Sequence, residues 1–228
     1  MSLLRSPLLS DAGFAHAFPE RSDDDAALLA ALGVPSIAQV KQVHGGRCVD
    51  AREALSGPTE ADAIVARAGG APSAIGVRVA DCVPVLLASA AGDVAVIHAG
   101  WRGVVGGVLA AGVAALSGDG DRGTLLAAVG PCIGPCCFEV GDDVAAAIAA
   151  SCGSAKDVVH PSGAGRTKPH VNLRAAVRAQ LVAAGLRGER IDGVPGCTRH
   201  EAARFHSFRR DGAGSGRMLA AIVTKPLG

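Results

Sequence analysis

Residues 83–90 (VPVLLASA) and 93–98 (DVAVIH) are two branched-aliphatic runs with only Ala91-Gly92 between them. Runs this short and this apolar, parted by a turn dipeptide, are expected to form two buried strands. A tight turn makes them antiparallel, so the start of the first lies beside the end of the second. Cys82 opens the first run, and His98 closes the second, followed by Ala99-Gly100-Trp101-Arg102-Gly103. A thiol and an imidazole distant in sequence are thereby expected to meet, either as a nucleophile and its base or as two ligands of one metal.

A third group of the same kind lies upstream. Gln39-Val40-Lys41-Gln42-Val43-His44-Gly45-Gly46 alternates apolar and polar residues and ends on two glycines, which predicts a strand ending in a turn with His44 at its tip. Two imidazoles and one thiolate leave one tetrahedral position open, the pattern of a catalytic zinc site. On spacing alone the ordinary alternative stands beside it: a buried cysteine packs as a small hydrophobe, and a histidine is satisfied in the core. Arg102 has two readings as well. Either its guanidinium and the amino end of a following helix (103–117) receive an oxyanion, or it braces the turn against Asp62 or Asp81. Gly130-Pro131-Cys132-Ile133-Gly134-Pro135-Cys136-Cys137-Phe138-Glu139-Val140-Gly141 holds three cysteines, but Cys132 to Cys136 is one residue longer than a CxxC knuckle. The adjacent Cys136 and Cys137 are not expected to aim at one ion. This segment reads as a rigid loop that walls a pocket with Cys137, Phe138 and Glu139, where Glu139 is either an acid–base group or a helix-start carboxylate.

The remaining pattern gives strands at 13–18, 37–43, 47–50, 61–66, 124–129 and 190–195. Helices are expected at 23–32, 103–117, 141–151 and 171–185, and loops at the glycines of 69–70, 118–120 and 163–165. A closing hairpin is expected over 204–224, with Arg209 and Arg210 on opposite faces of a strand. This mixture predicts an α/β fold with mixed sheets, and 228 residues suit one domain spanning 1–228. A net charge of +1 gives no footprint for nucleic acid or an anionic membrane surface. No apolar run reaches the length of a membrane span, and the first residues lack a basic head followed by an apolar core. Seven cysteines, an odd number, fit a reducing compartment, so a cytoplasmic location is expected.

In order along the chain, QVHG (42–45), EADA (60–63), ADCVPVLL (80–87), HAGWRG (98–103), GPCIGPCCFEVG (130–141), Cys197-Thr198 and FHSFRRDG (205–212) followed by Gly216-Arg217 resemble the laccase-domain family. Its members are also called multicopper polyphenol oxidase family proteins or peptidoglycan editing factors, and have been reassigned as purine nucleoside phosphorylases with adenosine deaminase activity. The resemblance runs from about residue 39 to 225. It implies an α/β/β/α layered arrangement and a metal site of His44, Cys82 and His98, with zinc the expected ion and copper possible. It also implies a purine nucleoside and phosphate as substrates, for which Arg102 and Arg209 are the candidate binding residues. Two departures stand out: the family's GGVS-type loop before the first helix is missing, and Val79 stands where the family often has threonine. Two other activities compete. One is a Cys/His amidohydrolase acting on cell-wall precursors, with Cys82 as nucleophile and His98 as base. The other is a copper-dependent phenol oxidase, which needs more converging histidines than a chain with seven in all offers.

Overall fold

In the computed structural model, which describes residues 3–71, 73–154, 156–162 and 167–226, the chain forms three sheets flanked by helices. In chain order the elements are α1 (Pro7–Asp11), β1 (His16–Ala17), α2 (Asp25–Leu32), β2 (Cys48–Asp50), α3 (Ala51–Leu55), β3 (Ala63–Ala66), β4 (Ala74–Val79), β5 (Val83–Ala88), β6 (Val94–Ala99), α4 (Trp101–Val105) and α5 (Val108–Ser117). Then follow β7 (Leu126–Val129), α6 (Asp142–Ser151), β8 (Val159–His160), β9 (His170–Val171), α7 (Leu173–Ala183), β10 (Ile191–Gly193), α8 (Phe208–Asp211) and β11 (Met218–Val223). The main sheet runs in the order β10-β7-β5-β6-β3-β2 and is mixed, since β10 with β7 and β2 with β3 are parallel while the central pairs are antiparallel. A second, antiparallel sheet has the order β1-β11-β4, and β8 pairs with β9.

The two-residue period of the strands builds the layers. From β5, Val83, Val85 and Leu87 face one way and join Ile97 of β6 in a core with Val104, Leu109, Val113, Ile148, Val177 and Leu181 of α4 to α7. Leu86 and Ala88 face the other way, joining Val94 and Val96 against Ile75 and Val77 of β4 and Ala220 and Ile222 of β11. On the far side of that second sheet, Leu219 and Ala221 pack on Leu28 and Leu32 of α2. The order of layers is therefore helix, six-stranded sheet, three-stranded sheet, helix. Each fully buried leucine here contributes about 1.5–3 kcal/mol relative to exposure.

Local chemistry sets the helices. In α7 the buried residues Leu173, Ala176, Val177 and Leu181 share one face, and the Asn172 side chain accepts from the Ala175 N–H at 3.1 Å to cap its start. Gly112 of α5 lets the helix lie close on the sheet, since a Cβ there would sit 2.5 Å from Ile97 Cδ1.

Several expectations are corrected. The helix foreseen over 103–117 begins at Trp101 and breaks at Gly106-Gly107, where Gly107 takes φ 80. The strand expected at 37–43 contributes only bridges at Ala38 and Lys41, and the one at 13–18 only His16 and Ala17 with a bridge at Phe18. Strand β4 was not foreseen. Its Gly76 weakens the β pattern, yet a Cβ there would meet Ile37, Leu219 and Ala220 at 2.8–3.0 Å, so the glycine is what permits the packing. Phe208–Asp211 is a short helix rather than a hairpin strand, started by Ser207, whose hydroxyl accepts from the Arg210 N–H. The loop expected at 163–165 lies outside the described residues.

Candidate active site

Register delivers the first two groups. Val83 pairs with Ala99 and Pro84 with His98, which puts Cys82 and His98 at the same edge of the main sheet. The third arrives through Asp62, a fully buried carboxylate just before β3. It accepts the N–H groups of Val43, His44 and Gly45 at 3.3, 2.9 and 2.6 Å, and His98 Nδ1 lies 2.7 Å from its Oδ1. One side chain thus folds the 43–45 turn and orients His98. The ligand atoms of His44, Cys82 and His98 all lie within 4.8 Å of one another, and the two imidazole rings stand edge to face with centroids 4.8 Å apart.

Backbone conformation marks the same place. His44 at φ 60 and Asp81 at φ 90 occupy the left-handed region that non-glycine residues rarely enter, a cost carried by surrounding contacts. The Asp62 carboxylate holds the first. The second is held from three sides: Thr198 Oγ1 donates to Asp81 Oδ1 at 2.6 Å, the Arg209 N–H to Oδ2 at 2.7 Å, and the Ile133 N–H to its carbonyl at 3.0 Å.

The electrostatics follow from this geometry. Burial alone would push the Cys82 thiol up, but hydrogen bonds from His44 and His98 outweigh it and bring it down to about 7. Burial would lower His98, yet Asp62 and the Cys82 sulfur raise it to about 9. Burial also works against the Asp62 carboxylate, and the hydrogen bonds of His98, Gly45 and His44 hold it below the usual range. With Asp62 accepting at Nδ1, the Nε2 of His98 is the nitrogen free to face the sulfur. A carboxylate–histidine pairing of this kind is how proteins orient a metal-ligating imidazole, and the N2S donor set fits zinc or copper.

The triad opens into a cavity of about 580 Å³, within the range of small-molecule sites. Arg102 and Arg209, both expected at the site, line it, as do Gln42, Arg78, Phe138, Phe208 and Arg217. Neither Asp62 nor Asp81 pairs with Arg102, so the bracing reading is set aside. Its guanidinium rests over the Trp101 ring at 4.5 Å and makes no ion pair among the described residues. It lies in the first turn of a five-residue helix, so any anion would be held by the guanidinium rather than by a long helix dipole. Arg209 donates from Nη1 to the Glu139 carbonyl at 2.8 Å and lies over Phe138, while Arg210 turns away to Asp211 and the Thr198 carbonyl. Of the loop at 130–141, Ile133 and Phe138 wall the cavity, Cys137 packs in the core and Glu139 faces a neighbouring recess. His16 is a core residue, its Nε2 accepting the Ser6 N–H at 2.8 Å.

Gly100 makes room for the cluster: a Cβ there would sit 2.9 Å from His44 Cδ2 and 3.1 Å from Cys82 Sγ. Gly100→Ala is expected to leave thermal stability nearly unchanged while weakening zinc retention about tenfold or more, because small displacements in a preorganised site are costly. Competition with a chromophoric chelator measures it, and unchanged retention would show that the two side chains are not held against this glycine.

A family model described as multi-copper polyphenol oxidoreductase laccase matches residues 22–225. Among curated relatives, the adenosine deaminase RL5 of an unknown prokaryotic organism is 43% identical over 183 residues, covering 78% of this chain and 68% of that protein. A purine nucleoside phosphorylase of Deinococcus radiodurans is 39% identical over 214 residues, covering 89% and 79%. The crystal structure of a Neisseria meningitidis protein of the DUF152 family is similar with a TM-score of 0.76 at 36% identity, covering 89% of this chain and 83% of that one. YlmD from Geobacillus stearothermophilus gives the same TM-score at 25% identity over 99% and 98% of the two chains. With the family model spanning most of its length and these relatives alongside, the chain belongs to the multi-copper polyphenol oxidoreductase laccase family, also designated DUF152.

Proposed function

We propose that this protein is a purine nucleoside phosphorylase that converts adenosine or inosine and phosphate to free base and ribose 1-phosphate, and that it also deaminates adenosine to inosine. The observation that carries this reading is the convergence of His44, Cys82 and His98 on the floor of a cavity whose walls hold arginines and aromatic rings. The names of the relatives point the same way. We assign the whole of 1–228 to one enzyme domain working in the cytoplasm, where its thiols, all free among the described residues, stay reduced. No described helix is long and apolar enough to cross a membrane. No nucleic-acid or membrane partner enters this reading; its partners are the nucleoside and phosphate.

His44, Cys82 and His98 would hold the metal, with zinc the preferred ion and copper an alternative. When bound, such an ion supplies Lewis acidity and lowers the pKa of water towards 7. Asp62 keeps the Nδ1 proton of His98 directed at itself, leaving Nε2 as the donor towards the site. Arg102 and Arg209 offer planar cations to the phosphate, and Phe138 and Phe208 offer apolar ring surface to the base. In phosphorolysis a phosphate oxygen bonds to the anomeric carbon as the glycosidic bond breaks, and the departing electron pair goes to the purine, which takes up a proton. In deamination water adds at carbon six and ammonia leaves.

Incubating metal-defined protein with adenosine and with inosine, with and without phosphate, tests the proposal. Free base and ribose 1-phosphate that appear only with phosphate are expected, together with phosphate-independent inosine from adenosine. No turnover of either nucleoside would overturn it. The amidohydrolase alternative draws on one observation, the Cys82 thiol brought to about 7 beside His98. Cys82→Ala is expected to abolish nucleoside turnover, and Cys82→Ser to retain a trace if the sulfur is a ligand, because a serine hydroxyl ligates zinc poorly and attacks weakly. Full activity in the alanine variant would exclude both chemistries.

A further inference from the structure

Behind the wall of the cavity lies a second group of sulfurs. Residues 134–138 form a tight turn in which the Cys137 and Phe138 N–H groups both donate to the Gly134 carbonyl, at 2.9 and 3.0 Å. This turn overrides the divergence expected of adjacent cysteines and places Cys136 Sγ 3.5 Å from Cys137 Sγ. The third sulfur comes from elsewhere in the chain. Segments 132 and 197 form a parallel bridge, supported by the Thr198 N–H donating to the Cys132 carbonyl at 3.1 Å, and this brings Cys197 Sγ to 3.6 Å from Cys136 Sγ. All three sulfurs lie within 4.8 Å of one another. Gly134 leaves space for them: a Cβ there would stand 3.3 Å from the sulfurs of Cys136 and Cys197, and its N–H donates to Cys197 Sγ at 3.2 Å.

We propose that Cys136, Cys137 and Cys197 form a second metal site, a three-thiolate seat for one thiophilic d10 cation, zinc or cuprous ion. Sulfurs about 2.3 Å from a tetrahedral zinc stand roughly 3.8 Å apart, so the two short separations need to open by only a few tenths of an ångström. They are too long for disulfides, whose sulfurs sit about 2.05 Å apart. Soft thiolates select zinc and cuprous ion over harder cations. Cys136 and Cys197 border a cavity of about 270 Å³ lined also by Asn172 and Arg174, which leaves room for a fourth ligand such as water. Three thiolates around a divalent ion carry a net negative charge, and Arg174 supplies the neighbouring cation. Its Nη2 donates to the Gly196 carbonyl at 3.1 Å, and its buried Nε has no hydrogen-bond partner among the described residues. Such an ion ties the 134–137 turn to Cys197, and so braces Ile133 and Phe138, which face the substrate cavity on the same loop.

Metal counting on the full chain, reduced and stripped of metal, tests this without reference to turnover. Zinc alone, titrated against a chromophoric chelator, is expected to bind at two equivalents in the wild type and one in Cys136→Ser. It should bind at one in Cys82→Ala and none in the double variant. Cys136 is exposed, so its serine variant is expected to fold, and circular dichroism verifies this. In Cys82→Ala, cobalt is expected to give strong sulfur-to-metal charge-transfer absorption that Cys136→Ser diminishes, and a parallel titration with cuprous ion shows which cation binds more tightly. Equal zinc stoichiometry in wild type and Cys136→Ser would overturn the proposal, as would loss of all charge transfer in Cys82→Ala. A wild type holding a single equivalent that only Cys136→Ser removes would support this site while counting against the one at His44, Cys82 and His98.

Discussion

Replacing Asp62 with alanine is expected to cost about 3–5 kcal/mol of folding stability, the magnitude seen when one partner of a buried charged pair is removed. Four donors converge on this fully buried carboxylate: three backbone N–H groups of the 43–45 turn and the ring of His98. Alanine leaves all four without an acceptor and releases His44 from its left-handed conformation. Zinc affinity should fall with it by about 10- to 100-fold, the usual cost of losing the partner that orients a ligating histidine. Asp62→Asn keeps an acceptor oxygen and should lie between. The pH dependence has a definite sign. Because the folded protein holds Asp62 below its ordinary value, its stabilising contribution is complete above the unfolded carboxylate pKa of about 3.9 and is lost as pH falls through the lower, folded value. Chemical denaturation of wild type and Asp62→Asn at several pH values should therefore show their difference shrinking as pH drops below about 4. A constant difference would mean that the carboxylate charge is not what stabilises the turn.

Arg102→Ala is expected to separate the two reactions. With no carboxylate attached to its guanidinium among the described residues, removal is expected to orphan no buried charge, so stability and zinc content should change little. Losing a charge-assisted contact to phosphate costs about 1.5–3 kcal/mol, which corresponds to phosphorolysis slower by roughly 10- to 150-fold at limiting phosphate. Deamination uses water instead and should fall by less than about threefold. Rates of base release and of inosine formation, measured on one preparation with its zinc content, decide the matter. Parallel loss of both with depleted metal would show that Arg102 acts on the architecture of the site.

The central strands are legible in the sequence because they depend on short-range patterns, whereas His44, Cys82 and His98 are singled out together as metal ligands by the family resemblance, spacing alone leaving the ordinary alternative open. Two aliphatic runs around Ala91-Gly92 dictate an antiparallel pair, and the pair alone puts Cys82 beside His98. His44 could be placed at a strand end, although it arrives through a turn pinned by Asp62 rather than through a regular strand. In the sequence Asp62 stands out only within the EADA string (60–63) and as a partner for Arg102, neither of which marks it as the organiser of the 43–45 turn. A carboxylate that collects donors from segments remote in sequence has no local signature. For the same reason the approach of Cys197 to Cys136 was not foreseen, since it depends on a bridge between segments that are not neighbours in the chain. Gly76 hid strand β4, and Gly106-Gly107 broke a helix that the apolar pattern on either side would have carried through. In both cases a glycine is used for close packing or a turn, and propensity alone cannot weigh that. The four residues of α8 are too few to show a helical period, so Arg209, expected on a strand, lines the cavity from a short helix instead.

The proposal that His44, Cys82 and His98 hold one ion underlies every step assigned to this enzyme. X-ray absorption at the zinc edge, on Cys136→Ser protein loaded with one equivalent of zinc, tests it most directly. One sulfur at about 2.3 Å and two imidazole nitrogens at about 2.0–2.1 Å are predicted, with the sulfur lost in Cys136→Ser/Cys82→Ala. A coordination shell without sulfur, or one left unchanged by removing Cys82, would contradict the account.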